Sequence, residues 1–243
     1  MRFALVNNKR CEAEPKLKGI CPYCHAPVIA KCGTQKINHW AHKSLNDCDK
    51  WWENETNWHL TWKDKFPKEY QEIVMNDDIT KEKHIADVHL PNGLTIEFQH
   101  SSITPQERLS REKFYKDMVW VVDGTKRKRD FSKFLKGRTT LISHQPGVIN
   151  IYKFYCSEEI ITNDWSSSTV PVVFDFLGMP KQGDLIDTRR LPLYCFLPQK
   201  VQGQACSFEI TRETFIYNTV NNGWQLFTKR QMGILEEAAK LVK

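Results

Sequence analysis

The sequence has no long apolar run. Its apolar stretches fall well short of the ~18 residues that a membrane-spanning helix needs, so no membrane partner is expected. The opening MRFALVNNKR lacks the apolar core of a secretory leader. There is no internal repeat and no low-complexity tract, which excludes solenoid and array architectures. Eight cysteines in 243 residues are too few for a disulfide scaffold. With 40% hydrophobic and 26% charged residues the chain is not globally disordered either.

What is present is unevenly placed. A chain of this length holds one or two domains with a real core. The formal charge of +6 permits a polyanionic partner without demanding one. Five of the eight cysteines fall in the first 48 residues, interleaved with histidines. Such clustering points to a metal site in a reducing compartment, and so to a cytoplasmic protein. RFALV and APVIA each read as a short strand, but residues 1–49 hold too little apolar mass to fold without a staple.

Cys21-x2-Cys24 is followed after fourteen residues by His39-x2-His42. Thiolates and imidazoles are the ligands tetrahedral zinc prefers, and two short pairs at this separation suit a ribbon-like site. His25, Cys32 and Cys48 carry the same donor atoms and stand as substitutes. Four protein ligands saturate Zn2+, so the ion is expected to be structural.

Residues 51–66 read as one helix, with Trp51, Trp58, Trp62 and Phe66 on a stripe at about 100° per residue. These tryptophans are expected in the core rather than stacked on bases. Glu55, His59 and Lys63 are spaced i, i+4, i+8 beside that stripe, either as a solvated ladder or at a cleft edge. QEIVMN, HIADVHL and LTIEFQ follow as strands. Ala86, Val88, Leu90, Leu94, Ile96 and Phe98 form one apolar face, and Asp87, Glu97 and Gln99 lie on the other. A three-residue loop, Pro91 to Gly93, pairs residue 90 with 94 and is the register that keeps both apolar sets together; it sets Asp87 opposite Glu97. Facing carboxylates repel unless a cation lies between them, and oxygen ligands from two acids suit Mg2+ or Mn2+. Thr104-Pro105-Gln106-Glu107 is a capping box opening a helix to about Asp117. MVWVVDG is a buried strand. The order is helix, three strands, helix, strand.

After Gly124, TKRKRDFSKFLKGR carries seven basic residues and one acid. It reads as a phosphate-contacting run or as a solvated linker. Beyond it VINIYKFYC, VPVVFDFL, LPLYCFLP and SFEI suggest a β-rich region, and ILEEAAKLVK a terminal helix.

This ordered set of residues resembles the PD-(D/E)XK nucleases, and within them the competence protein CoiA-like family. CPYC and HWAH stand ahead of the core, followed by Glu55, His59 and Lys63. Then come Ala86-Asp87, the string IEFQHS, Arg108, Tyr115, and Trp120-Val121-Val122. The resemblance covers roughly residues 1–125, and Gln99 stands where the superfamily commonly has lysine. It implies an α/β, restriction-endonuclease-like αβββαβ core over 50–125, a zinc-ribbon-like segment over 1–49, and a β-rich region over 126–243. It implies a metal-dependent deoxyribonuclease. Asp87, Glu97 and Glu55 would hold Mg2+ or Mn2+, Gln99 would orient water, and Lys63 or His59 would stabilise charge or relay protons. Lys63 is the candidate for the positive charge missing at position 99. Arg108, Lys43 and Lys126, Arg127, Lys128 and Arg129 are candidate phosphate contacts. Two other readings remain open: a zinc-bearing DNA-binding module that has lost catalysis, and an adaptor docking a protein partner through its C-terminal region. A competence role, a defence role and a mobile-element role are equally compatible with such a core.

Overall fold

A computed structural model describes the chain except residues 34–36, 44–47, 54, 138–139, 143–149, 155–162, 202 and 242–243. It divides into two compact units, Met1–His89 and Leu90–Lys243.

The first unit opens with short strands β1 (Phe3–Val6), β2 (Lys9–Glu12), β3 (Lys18–Ile20), β4 (Pro27–Lys31) and β5 (His39–His42). They form an antiparallel sheet in the order β2-β1-β3-β4-β5. Its core is small: Met1, Ala4, Ala13, Cys21, Val28 and Trp40. Gly19 lies where a Cβ would come within 2.9 Å of the Leu5 carbonyl and 3.3 Å of the Trp40 ring, so only glycine lets that indole close on the sheet.

Helix α1 spans Asn57–Lys63, not the whole of 51–66. Thr56 is its N-cap, its hydroxyl accepting from the His59 N–H at 3.3 Å. Trp58, Trp62 and Phe66 are buried as the periodicity predicts. Trp51 lies ahead of the helix, its ring stacked on His84 with centroids 3.2 Å apart. Strands β6 (Gln71–Asn76) and β7 (Lys83–His89) follow as an antiparallel pair.

The second unit begins at the expected turn. The Leu90 N–H donates to Leu94 O at 3.0 Å, the Gly93 N–H donates to Leu90 O at 2.9 Å, and Gly93 takes φ +88. Strand β8 (Thr95–Gln99) leads to α2 (Pro105–Tyr115), whose N-cap Thr104 accepts from the Glu107 N–H at 3.1 Å. Strand β9 (Met118–Asp123) then runs parallel to β8. These elements keep the predicted order, with boundaries shifted by a few residues.

The basic run is not a linker. Lys126, Arg127, Lys128 and Arg129 occupy an exposed turn, but α3 (Asp130–Gly137) buries Phe131 and Phe134. Strands β10 (Thr140–Ile142), β11 (Ile151–Phe154), β12 (Val172–Asp175), β13 (Leu193–Phe196) and β14 (Ala205–Ile210) confirm the β-rich reading. The sheet order is β10-β11-β14-β13-β12-β9-β8, with β12 parallel to β9 and the strands beyond it antiparallel. Phe134 centres an aromatic cluster with Tyr152, Phe154, Phe176, Tyr194 and Phe196. Helices Arg212–Val220 and Trp224–Leu241 close the chain; the first was not foreseen. No helix of the described residues is long and apolar enough to cross a membrane.

Candidate metal centre and a buried lysine–carboxylate cluster

Cys21 and Cys24 lie in the tight turn between β3 and β4. The His25 N–H donates to Cys21 O at 3.0 Å, the Cys21 N–H donates to Ala26 O at 2.9 Å, and His25 takes φ +59. His42 ends β5, and Cys48 follows. The ligand atoms of Cys21, Cys24, His42 and Cys48 all lie within 4.8 Å of one another. Cys21 Sγ is 3.7 Å from Cys48 Sγ, and Cys24 Sγ is 3.2 Å from His42 Nε2. A tetrahedron with Zn–S bonds near 2.3 Å has S···S edges of about 3.8 Å. Donor types and spacing therefore fit a structural zinc, held by Cys21, Cys24, Cys48 and His42.

The Cys21 and Cys48 thiols titrate as a pair. A hydrogen bond with Cys48 brings the Cys21 thiol down to about 4, against the opposing effect of burial, and the backbone N–H groups of Cys24 and Tyr23 assist. Cys48 moves upward as the proton-bearing partner, held there by Cys21 and by burial. Thiolate is the form zinc binds.

His39, expected as a ligand, is replaced by Cys48. The reason is strand parity. His39 and His42 are the two ends of β5, and residues three apart on a strand point to opposite faces. Trp40 and His42 share the inward face, while the His39 ring lies 2.8 Å from the Ile37 carbonyl. Among the other substitutes considered, Cys32 Sγ approaches the Ala13 carbonyl at 3.5 Å.

A second constellation lies in the same unit. Lys63 is buried, and its Nζ reaches Glu55 Oε1 at 2.9 Å, Asp87 Oδ1 at 3.0 Å and Glu72 Oε1 at 3.3 Å. Glu55 stands just before the N-cap of α1, not inside the helix, yet still reaches the lysine. Pairs Gln71–Val88 and Ile73–Ala86 place Glu72 opposite Asp87 across β6 and β7. Burial alone would lower the Lys63 ammonium, but Asp87, Glu72 and Glu55 hold it well above its ordinary value. Burial alone would raise Glu72, but Lys63 and the backbone N–H groups of Arg2 and Phe3 hold it below the usual range. Glu55 Oε2 is buried without a hydrogen-bond partner among the described residues. Glu72 escaped the sequence reading; the available signal was a lone acid inside the strand QEIVMN. His59 is buried beside its cap, its Nδ1 3.0 Å from Thr56 Oγ1.

In the second unit Glu97 and Gln99 lie buried on β8. Glu97 Oε2 is 3.3 Å from Arg111 Nη1, and Gln99 Nε2 donates to Ser101 O at 3.2 Å. Arg108 is buried rather than available to a phosphate. It donates from Nε to the Asp164 carbonyl at 2.7 Å, from Nη1 to Glu112 at 2.5 Å and from Nη2 to Ser167 at 2.8 Å. Tyr115 is buried too. Lys43 is exposed, as are Lys126, Lys128 and Arg129; Arg127 pairs with Asp164 at 2.7 Å.

Residues 6–50 match the family described as competence protein CoiA, N-terminal domain. Searches of curated proteins and of solved structures gave no match. None of the three comparisons identifies a PD-(D/E)XK core, so that part of the resemblance rests on the residues alone. That match covers residues 6–50 alone, and the Cys3His cluster lies wholly within the matched segment.

Proposed function

We propose that the chain is a zinc-stapled DNA-binding protein of the CoiA-like kind. The observation that carries this reading is the cluster of Cys21, Cys24, His42 and Cys48 inside the CoiA-type segment. Four protein ligands leave zinc no open position, so the ion stabilises a sheet whose own core is small. The DNA partner is supported by the net charge of +6, by the exposed Lys126–Arg129 turn and by Lys43. In this reading Lys63 neutralises the carboxylates of Glu55, Glu72 and Asp87, and the chain binds without cutting.

One observation favours a second reading, metal-dependent hydrolysis of DNA. The buried Glu55 Oε2 has no hydrogen-bond partner among the described residues, although Glu55 shares Lys63 with Asp87. A hard divalent cation suits such an oxygen. In this reading Glu55 and Asp87 would hold Mg2+ or Mn2+, and Lys63 or His59 would meet developing negative charge. Glu97 and Gln99 enter this reading from the sequence alone. The ion, when bound, supplies polarisation of the phosphate and a water of lowered pKa.

One set of measurements separates the two. Metal analysis gives zinc per chain. Fluorescence anisotropy with single- and double-stranded DNA is followed against salt, where each phosphate neutralised contributes a slope of about −0.9 on duplex. Plasmid and single-stranded DNA are then incubated with Mg2+, Mn2+ or EDTA beside an Asp87→Ala variant. Salt-dependent binding without cutting is the expected result. Metal-dependent cutting abolished by Asp87→Ala transfers the conclusion to the second reading. Absence of binding at low salt rejects both.

A further inference from the structure

The metal centre and the lysine–carboxylate cluster are joined by the first three residues of the chain. The Met1 Sδ lies 3.6 Å from Cys21 Sγ, and the Trp40 N–H, on the strand that carries His42, donates to Met1 O at 2.9 Å. On the other side, the Glu72 carboxylate accepts the Arg2 N–H at 2.8 and 3.0 Å and the Phe3 N–H at 3.1 Å. The same carboxylate receives Lys63 Nζ at 3.3 Å. Arg2 adds side-chain bonds to Glu12 at 2.7 Å, Asp64 at 2.5 Å and Gln71 at 3.1 Å. Gln71 in turn donates to the carbonyls of Lys63 and Phe66, both at 2.8 Å. Every contact in this series runs between residues of the first unit.

Glu72 has a backbone to match. It takes φ +46 within β6, a conformation that costs a non-glycine residue energy and persists where the surroundings over-determine it. That strained backbone turns one carboxylate toward both the β1 amides and the buried ammonium.

We infer that Glu72 is a positioning residue that couples zinc loading to the placement of Lys63, through Met1, Arg2 and Phe3. This rests on the reading of the Cys3His cluster as a zinc centre. Zinc would fix Cys21 and His42; Cys21 Sγ meets the Met1 side chain, and the Trp40 N–H, on the strand of His42, holds the Met1 carbonyl. The two following amides then hold the Glu72 carboxylate, and Glu72 holds Lys63. Because coupling between two sites is reciprocal, loosening Glu72 must weaken zinc by the same factor by which zinc loss loosens Glu72.

The test is the zinc affinity of the full chain, measured by competition with a chromophoric chelator, for wild type, Glu72→Gln and a remote control, Asp184→Asn. Couplings of this type fall at about 5–150-fold, so Glu72→Gln is expected to bind zinc at least fivefold more weakly, with the control unchanged. At saturating zinc, acylation of Lys63 followed by peptide mass spectrometry is expected to rise in Glu72→Gln. In wild type it is expected to rise when zinc is withdrawn, while lysines of the second unit keep their rates. That wild-type arm stands even if the variant does not fold. Equal zinc affinity in wild type and a folded Glu72→Gln overturns the coupling, as does Lys63 reactivity indifferent to zinc. Wild type that binds no zinc overturns the metal centre itself.

Discussion

Replacing Lys63 by methionine removes one cation from three carboxylates at once. Lys63 is 5% exposed at its side chain, Glu55 8%, Glu72 9% and Asp87 23%. Breaking a buried ion pair from one side costs about 3–5 kcal/mol, because the remaining charge is left without compensation. The losses do not triple: Glu72 keeps two backbone N–H donors and Asp87 reaches solvent. A loss of about 3–5 kcal/mol at pH 7 is therefore expected, read by urea unfolding of zinc-saturated protein. Adding Glu55→Gln to Lys63→Met should recover about 0.5–3 kcal/mol, because the second change removes a charge the first one stranded. The pH dependence carries a sign. In wild type the depressed Glu72 carboxyl contributes stability that is present above its unfolded pKa and lost as pH falls through its folded value. The raised Lys63 contributes stability that is present below its unfolded pKa and lost only as pH rises through its folded value. Without Lys63, the burial of Glu72 acts with less opposition and its carboxyl moves upward, so the variant's deficit shrinks on going from about pH 7 to 5. A Lys63→Met deficit under about 0.5 kcal/mol at pH 7 refutes the reasoning, as does a deficit that stays constant down to pH 5.

Three further substitutions address the metal centre and the second core. Cys48→Ser should lose zinc, or bind it far more weakly, while His39→Ala keeps one zinc per chain; metal analysis and the cobalt-substituted absorption spectrum report both. Phe134→Ala, at the centre of its aromatic cluster, should cost about 3–5 kcal/mol in urea unfolding and leave zinc content untouched.

The order of elements from residue 57 to 123 was legible because each carries a local signal. Thr104 and Glu107 mark a helix start, Pro91-Asn92-Gly93 a hairpin loop, and the unbroken apolar run of β9 a buried strand. Cys21 and Cys24 were legible because one turn presents both thiols. His39 was misassigned because the HxxH spacing says nothing about whether its backbone is a strand or a turn, and on β5 that decides the face. Cys48 offered only proximity in sequence. Glu72 and Arg2 were not legible, since their meeting depends on a contact across 70 residues that no local pattern encodes. Arg108 is a candidate phosphate contact by the resemblance alone; its burial depends on Asp164, Ser167 and Glu112 arriving around it.

The zinc centre also has a bearing on folding order. All four of its ligands and all five strands of its sheet lie within the first 48 residues, so this piece closes through short loops, which form fast. Its tie to Glu72 must wait for a much longer segment of chain. A nascent polypeptide can therefore capture its ion once Cys48 has left the ribosome, before the Glu72 strand has emerged. A pulse of chelator during synthesis should consequently do more harm before residue 72 has emerged than after.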